Sequence, residues 1–297
     1  MATAIAFQSV TKRFSNDKLG LDDATWYVEE GAHVCLLGAT GSGKTTAVRI
    51  LQRALQPTGG SVMLLGVPVD GPGYRSVRRH LGILPQGPGM YQDLTAGEFM
   101  ALAARLYGAR PDRAVERLHL TDYLHARMAD LSRGFQRRLA LAAALVADPD
   151  VLVLDDPTTG LDRVAAEHLK LYVRDAMRGR TALLCTQHRG DAEALCSEVI
   201  YLRDGQVAAR GTWADLRRQG QPKLRLAARQ GPDRVLAELA ELGMYGERDD
   251  GVVLVSMADP EQEGGALLRR LLEAGIDVYE CAPVRPPLES IVQEAYQ

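Results

Sequence analysis

The segment Val34-Cys-Leu-Leu-Gly38-Ala-Thr-Gly41-Ser-Gly43-Lys44-Thr45-Thr46 constrains this chain more than any other. Four apolar residues predict a short buried strand, the pattern GxxxxGK[ST] follows at once, and Ala47–Ala54 predicts a helix. Glycines at 38, 41 and 43 let backbone N–H groups turn inward around phosphate oxygens, and a helix N-terminus adds partial positive charge. Ser42 and Thr46 complete the loop, Lys44 is placed to reach β- and γ-phosphates, and the Thr45 hydroxyl is a magnesium ligand by type. Only five of the 35 basic residues are lysines, so a lysine at position 44 is no accident of composition. A nucleoside triphosphate with Mg²⁺ is the expected ligand.

Short β-branched and aliphatic runs recur at Val34–Leu37, Val151–Leu154 and Thr181–Cys185, separated by helix-like stretches. That alternation predicts an α/β core with a buried parallel sheet. Thr95-Ala-Gly-Glu98 reads as a capping box that opens a helix over about 96–107, with Phe99, Leu102, Ala103 and Leu106 on one face. Asp204-Gly205 predicts a hairpin turn between Val199–Leu202 and Gln206–Ala209. Around Gly211 and Gln219–Pro222 no periodicity survives, and a linker is expected there. Beyond it, strand-like runs at Leu224–Ala227, Val252–Val255 and Ile276–Tyr279 alternate with helix-like runs at 232–242, 262–274 and 288–296, which predicts a small α+β domain.

Charge supports the same division. Residues 223–297 carry 8 Lys+Arg against 14 Asp+Glu, a net of −6, which leaves 27 against 24, or +3, for residues 1–222. The whole chain has a formal charge of −3, so no overall field attracts nucleic acid, and none is expected as a partner. Four dispersed cysteines, without CxxC spacing, fit a reducing compartment. The amino-terminal residues do not read as a secretory leader. The longest apolar run, Leu139–Ala147, falls far short of the roughly 18 residues that span a bilayer.

A phosphate loop alone fits kinases, GTPases and motors. Two further segments narrow the choice: Leu131-Ser-Arg-Gly-Phe-Gln136 before an alanine-rich helix, and Val151-Leu-Val-Leu-Asp155-Asp156-Pro-Thr-Thr-Gly-Leu-Asp162. With Ile83-Leu-Pro-Gln86 and Cys185-Thr-Gln-His188, these stand in the order seen in the ABC ATPase family, which residues 5 to about 215 resemble. The resemblance implies a P-loop NTPase core with a parallel sheet, an antiparallel N-terminal β subdomain and a helical subdomain at about 88–145. Domain boundaries are expected at 1–220 for this nucleotide-binding domain and 221–297 for a small C-terminal regulatory or dimerisation domain.

The resemblance also implies roles. Ser132, Arg133, Gly134, Phe135 and Gln136 match the signature that binds the γ-phosphate held by the opposite protomer, with Arg133 and Phe135 departing from the commonest LSGGQ form. Asp155 ends the Walker B strand and holds Mg²⁺ with Thr45 and Gln86, the Q-loop glutamine. Asp156, His188 and Gln86 are the implied catalytic set, and Asp156 stands where the family has glutamate. Phe14 occupies the place of an aromatic that stacks on adenine. Asp162 matches an aspartate at the dimer seam, although a helix N-cap explains it equally well.

One phosphate loop per chain implies that two chains meet to complete two sites, as a homodimer or as a heterodimer with another ABC ATPase subunit. The tail Ile276–Tyr296, a strand, a proline-rich turn and a helix, resembles ABC-2 type exporter ATPases. Such a protein would be cytoplasmic, peripheral at the cytoplasmic face of the cell membrane, and would power transmembrane permease subunits that contact it around Gln86–Arg105, including Gly87–Tyr91. Two alternatives stay open at this point: a soluble ABC ATPase of translation or DNA repair, and an ATP-binding regulatory subunit with little turnover, the latter because of Asp156.

Overall fold

The computed structural model describes residues 2–87, 92–219 and 222–284, apart from the side chains of 217–219, and divides the chain into two compact units, Met1–Thr212 and Trp213–Gln297. The break precedes the Gln219–Pro222 stretch because Trp213–Gln219 forms a helix (α8) that belongs to the second unit. Its single heptad of mixed residues carries too little apolar period to be read as helical beforehand.

The first unit holds two sheets. β1 (Thr3–Arg13), β2 (Leu19–Glu29), β4 (Gly59–Leu64) and β5 (Val67–Pro68) form an antiparallel sheet in the order β2-β1-β4-β5. Its alternating burial follows the two-residue period, and Phe7 stacks on Trp26 with ring centroids 4.1 Å apart. The second sheet runs β10-β9-β3-β8-β7-β6 from β3 (His33–Leu37), β6 (Leu81–Leu84), β7 (Val151–Asp155), β8 (Thr181–Thr186), β9 (Glu198–Arg203) and β10 (Gln206–Thr212). All neighbours are parallel except the β9–β10 hairpin, whose turn residues Asp204 and Gly205 have φ of 49° and 86°. Strands β7 and β8 are buried at every residue, as helices on both faces of a parallel sheet require.

The helices are α1 (Lys44–Leu51), α2 (Tyr74–Val77), α3 (Ala96–Tyr107), α4 (Asp112–Arg117), α5 (Arg133–Leu145), α6 (Arg163–Met177) and α7 (Arg189–Leu195). Helix α1 starts three residues before the run Ala47–Ala54, because the glycine loop feeds straight into it and the Ala47 N–H already donates to Gly43 O at 3.0 Å. The capping box at the start of α3 is present, with Thr95 and Glu98 bonded reciprocally. Its buried face shares Ala103 with the expected one and otherwise differs. Ala96, Met100, Ala103 and Ala104 face inward, while Leu102 and Leu106 are 37% and 76% exposed. Small alanines occupy the close approach, which an apolarity count cannot detect.

The second unit is described by itself. Strands β11 (Lys223–Ala228), β12 (Gly246–Asp249), β13 (Val252–Ser256) and β14 (Val278–Val284) form an antiparallel sheet in the order β12-β13-β11-β14, with α9 (Pro232–Glu241) and α10 (Pro260–Glu273) as crossovers. This is the split βαββαβ arrangement, packed around Leu224, Leu226, Val235, Leu239, Val253 and Leu271. Strand β12, Gly-Glu-Arg-Asp, lacks any apolar alternation, and β14 begins two residues after Ile276, which is drawn into the core instead. The helix expected over 288–296 lies outside the described residues, as do positions 88–91 of the Gly87–Tyr91 stretch.

Candidate functional site

The phosphate loop, the paired carboxylates, His188 and Gln86 follow the carboxyl ends of β3, β7, β8 and β6. After β3 the loop Gly38–Gly43 turns back, and both Gly41 and Gly43 adopt left-handed φ, 87° and 112°. A Cβ on Gly43 would stand 2.3 Å from the Gly20 carbonyl, so only glycine fits. Lys44 is buried, and its ammonium donates to the carbonyls of Gly38 and Ala39, both at 2.8 Å, and to Ser42 Oγ at 3.4 Å. These are weak, neutral partners for a buried cation, and an anionic phosphate outcompetes them. Thr40 Oγ1 donates to Gln187 Oε1 at 2.8 Å, which ties this loop to the segment before His188. The Phe14 ring lies against Gly20 and Thr46: a Cβ on Gly20 would meet the ring at 2.6 Å and Thr46 Oγ1 at 2.9 Å. The half-buried aromatic therefore flanks the start of α1.

Strand β7 delivers two carboxylates side by side. Asp155 and Asp156 are 3% and 5% exposed, and one oxygen of each, Oδ1, is buried without a hydrogen-bond partner. Burial, then the Asp156 charge, pushes the Asp155 carboxyl up to about 6, against the opposing pull of a Thr45 hydroxyl bond and of Lys44 and Arg137. Adjacent buried carboxylates with orphaned oxygens form a site short of positive charge, which a divalent cation beside Thr45 would satisfy. Thr45, Gln86 and Asp155 line one cavity of about 160 Å³. Gln86 Nε2 stands 3.5 Å from Asp156 Oδ2. The Asp156 N–H donates to Cys185 O at 2.8 Å, and its φ is 43°, a left-handed value that aspartate tolerates better than most residues.

His188 is exposed at the N-terminus of α7, and its ring has no hydrogen-bond partner among the described residues. No hydrogen bond joins it to Asp156 among the described residues. Ser132 caps α5, its Oγ accepting from Phe135 N at 3.3 Å. The Phe135 ring meets Tyr123 in a tilted pair, centroids 4.2 Å apart, with the Arg138 guanidinium 4.1 Å from its centroid, and Gln136 Nε2 donates to Met128 O at 2.8 Å and Leu131 O at 3.1 Å. Arg133 reaches Gly160 O at 3.5 Å. Ser132, Gly134 and Phe135 line a cavity with residues of α6 that contains none of the phosphate-loop residues. Asp162 caps α6 through two bonds of 2.9 Å from Val164 N and Ala165 N.

Sequence reasoning missed Arg137. It is buried in α5, and its guanidinium donates to Pro157 O at 2.9 Å, Asp156 O at 3.0 Å, Gln86 O at 3.1 Å and Pro85 O. One side chain thus fastens the signature helix to the Q-loop and to the backbone behind both carboxylates. Its position within an alanine-rich helical run gave no signal, since arginine is a good helix former that normally faces water. Thr158, Asp191 and Lys170 make a second buried chain: Thr158 Oγ1 donates to Asp191, and Lys170 Nζ stands 3.2 Å from Asp191 Oδ1.

Comparison with known proteins identifies this architecture. The ABC transporter family model matches residues 21–159. The chain is 39% identical over 215 residues to the Nod factor export ATP-binding protein I of Burkholderia thailandensis, covering 70% of each. It is 32% identical over 310 aligned positions to the daunorubicin resistance ATP-binding protein DrrA3 of Streptomyces coeruleorubidus, covering 97% of this chain and 94% of that one. Among solved structures, the dimeric post-hydrolysis state of the ATP-binding cassette MJ0796 bound to ADP and Pi superposes with a TM-score of 0.63 at 27% identity, covering 70% of this chain and 98% of that one. A bacterial Atm1-family ABC exporter with ATP bound gives a TM-score of 0.65 at 27% identity, over 73% of this chain and 40% of that one. With likeness that spans the phosphate loop and both carboxylates and, for one relative, nearly the whole chain, the protein belongs to the ABC transporter family and is an ATP-binding, ATP-hydrolysing subunit of such a transporter.

Proposed function

We infer that this subunit drives an exporter of ABC-2 type from the cytoplasmic face of the cell membrane, through separate transmembrane permease subunits. One observation carries the inter-subunit part of the reading. Ser132 and Gly134 open onto a different cavity from Thr45, Gln86 and Asp155, which supports a signature that completes the phosphate site of a second ATPase chain. The names of the relatives, a Nod factor exporter subunit and a daunorubicin resistance protein, support outward transport. Exposed Leu102 on α3, within Gln86–Arg105, and Leu106 just beyond it offer apolar surface for a permease contact.

In this reading ATP draws Lys44 from its loop carbonyls to the β- and γ-phosphates, while Phe14 covers the base. Thr45, Asp155 and Gln86 are the residues that would hold Mg²⁺. When bound, the ion supplies the positive charge that the paired carboxylates lack and offsets phosphate charge during transfer. Asp156 orients or deprotonates the attacking water, one methylene shorter than the family's glutamate, and His188 contacts the γ-phosphate once the dimer closes. Slow hydrolysis and a long-lived ATP-bound pair follow from the shorter side chain. Co-purification from detergent extracts of the native host tests the assignment: a multi-span membrane protein should accompany this chain in an ATP-sensitive complex. Recovery of the chain without any such partner would favour the soluble ATPase alternative.

A further inference from the structure

We propose that a second, arginine-lined cavity in the nucleotide-binding unit is a binding site for a small phosphorylated anion. The cavity, about 570 Å³, is bounded by α4, the loop that follows α5 and the turn that follows α6. Arg110, Arg113, Arg117, Arg178 and Arg180 line it, against the carboxylates of Asp148 and Asp150. Asp175 adds a third carboxylate through its bonds to Arg117, so the cluster carries two more positive charges than negative ones.

The five arginines fall into two classes. Arg180 and Arg117 are committed: Arg180 donates to Pro149 O and Ala176 O, both at 2.9 Å, and pairs with Asp148, while Arg117 Nε donates to Asp175 Oδ2 at 2.8 Å. They form the floor, and the Arg117 hydrogen bond holds the Asp175 carboxyl below its ordinary value. The rim is different. Arg113 and Arg178 are 90% and 75% exposed, with their nearest carboxylate oxygens at 3.6 and 3.7 Å, beyond hydrogen-bonding distance. Arg110 is exposed and makes no hydrogen bond or ion pair among the described residues. Asp150 is occupied by His80, whose Nδ1 lies 2.6 Å from Oδ2. Three guanidinium forks thus border one concavity with their donors unspent, the arrangement that captures phosphate oxygens bidentately.

The ligand is small. A chain of net charge −3 has no overall field to draw a polyanionic polymer, and the five arginines converge on a single hollow. The site is also distinct from the nucleotide pocket. It sits at the C-terminal end of α5 and the N-terminal end of β7, whereas Ser132, Asp155 and Asp156 lie at their opposite ends, and a 13-residue helix such as α5 spans about 20 Å. Either a free polyphosphate or the phosphate headgroup of an anionic lipid carries this chemistry.

The test uses the full-length Lys44→Ala chain, which removes the principal phosphate cation of the nucleotide loop. Titration with inorganic tripolyphosphate is followed by calorimetry, beside sedimentation with phosphatidic acid vesicles and with neutral phosphatidylcholine vesicles. Saturable binding of one tripolyphosphate per chain is expected, weakened about tenfold by each of Arg110→Ala, Arg113→Ala and Arg178→Ala added to that background. Arg75→Ala, an exposed arginine elsewhere on the same unit, should leave it unchanged. Binding to phosphatidic acid vesicles alone, lost in the same three variants, would assign the phosphate to a lipid headgroup. Absence of binding to either probe, equal weakening by Arg75→Ala, or binding that survives the triple rim variant with an unaltered melting curve would overturn the proposal.

Discussion

Replacing Asp156 by glutamate is the most direct test of how this site hydrolyses ATP. The carboxylate now leaves a buried backbone of φ 43°, with one oxygen unpaired and the other 3.5 Å from Gln86 Nε2. One added methylene advances the carboxyl group by ~1.5 Å. A base must stand about 2.6–3.2 Å from the water it activates, and a 1 Å error costs on the order of 10²-fold. Asp156→Glu should therefore raise the single-turnover rate by roughly 10- to 100-fold and leave ATP affinity within about twofold. It also places a residue less tolerant of left-handed φ at this position, at a stability cost of about 1 kcal/mol, read as a few degrees in Tm. The assay is rapid-quench hydrolysis of radiolabelled ATP by the assembled complex, with Asp156→Asn as the floor. A rate that stays level or falls with glutamate, in protein whose melting temperature has dropped by no more than those few degrees, would refute the short-carboxylate argument and mean that the left-handed backbone already delivers aspartate to the water.

The remaining predictions address the same machinery. Lys44→Ala should abolish tight binding of ATP, measured by equilibrium dialysis, because the loop carbonyls that now hold its ammonium cannot replace it. Asp155→Asn should stabilise the nucleotide-free chain at pH 7 by up to ~3 kcal/mol, since the carboxyl, raised from 3.8 to about 6 by folding, loses native stability as pH climbs through that window; the advantage should vanish near pH 4 in paired melting curves. Arg137→Ala strands buried carbonyls of Pro85, Gln86, Asp156 and Pro157 and should cost about 3 kcal/mol or more in denaturant unfolding. A chain ending at Thr212 should fold and bind ATP, because every nucleotide motif lies in the first compact unit; failure to bind in a folded truncation would oppose this division.

The sequence disclosed what depends on local chemistry. The phosphate loop, the capping box at Thr95 and the Asp204-Gly205 turn each need particular residue types at fixed spacing, and each is present as expected. Tertiary context decided the rest. Leu102 and Leu106 look like core residues on a helical wheel, yet alanines take the inner face of α3. Strand β12 exists only because β13 supplies its partner, and no pattern in Gly246–Asp249 announces it. At the site, the carboxylates and Gln86 could be singled out because they stand in motifs that resemble the family's, and the structure brings them close together. Arg137 was not, because nothing in a helical run tells which of its arginines has two other segments packed against it. The left-handed backbone at Asp156 is equally invisible in a string of residue names.

Strand β12 also bears on how the assembled protein avoids the wrong partners. It is four residues long, ends its sheet, and exposes Glu247, Arg248 and Asp249. Such a charged, abbreviated border offers little template for an incoming strand. Two copies meeting across their nucleotide faces would form a closed, self-limiting pair, whereas an open sheet border would add a head-to-tail contact with no natural end. By blunting that border, Gly246–Asp249 disfavours growth of the proposed pair into fibres through this edge, and apolar substitutions there would promote strand pairing between copies.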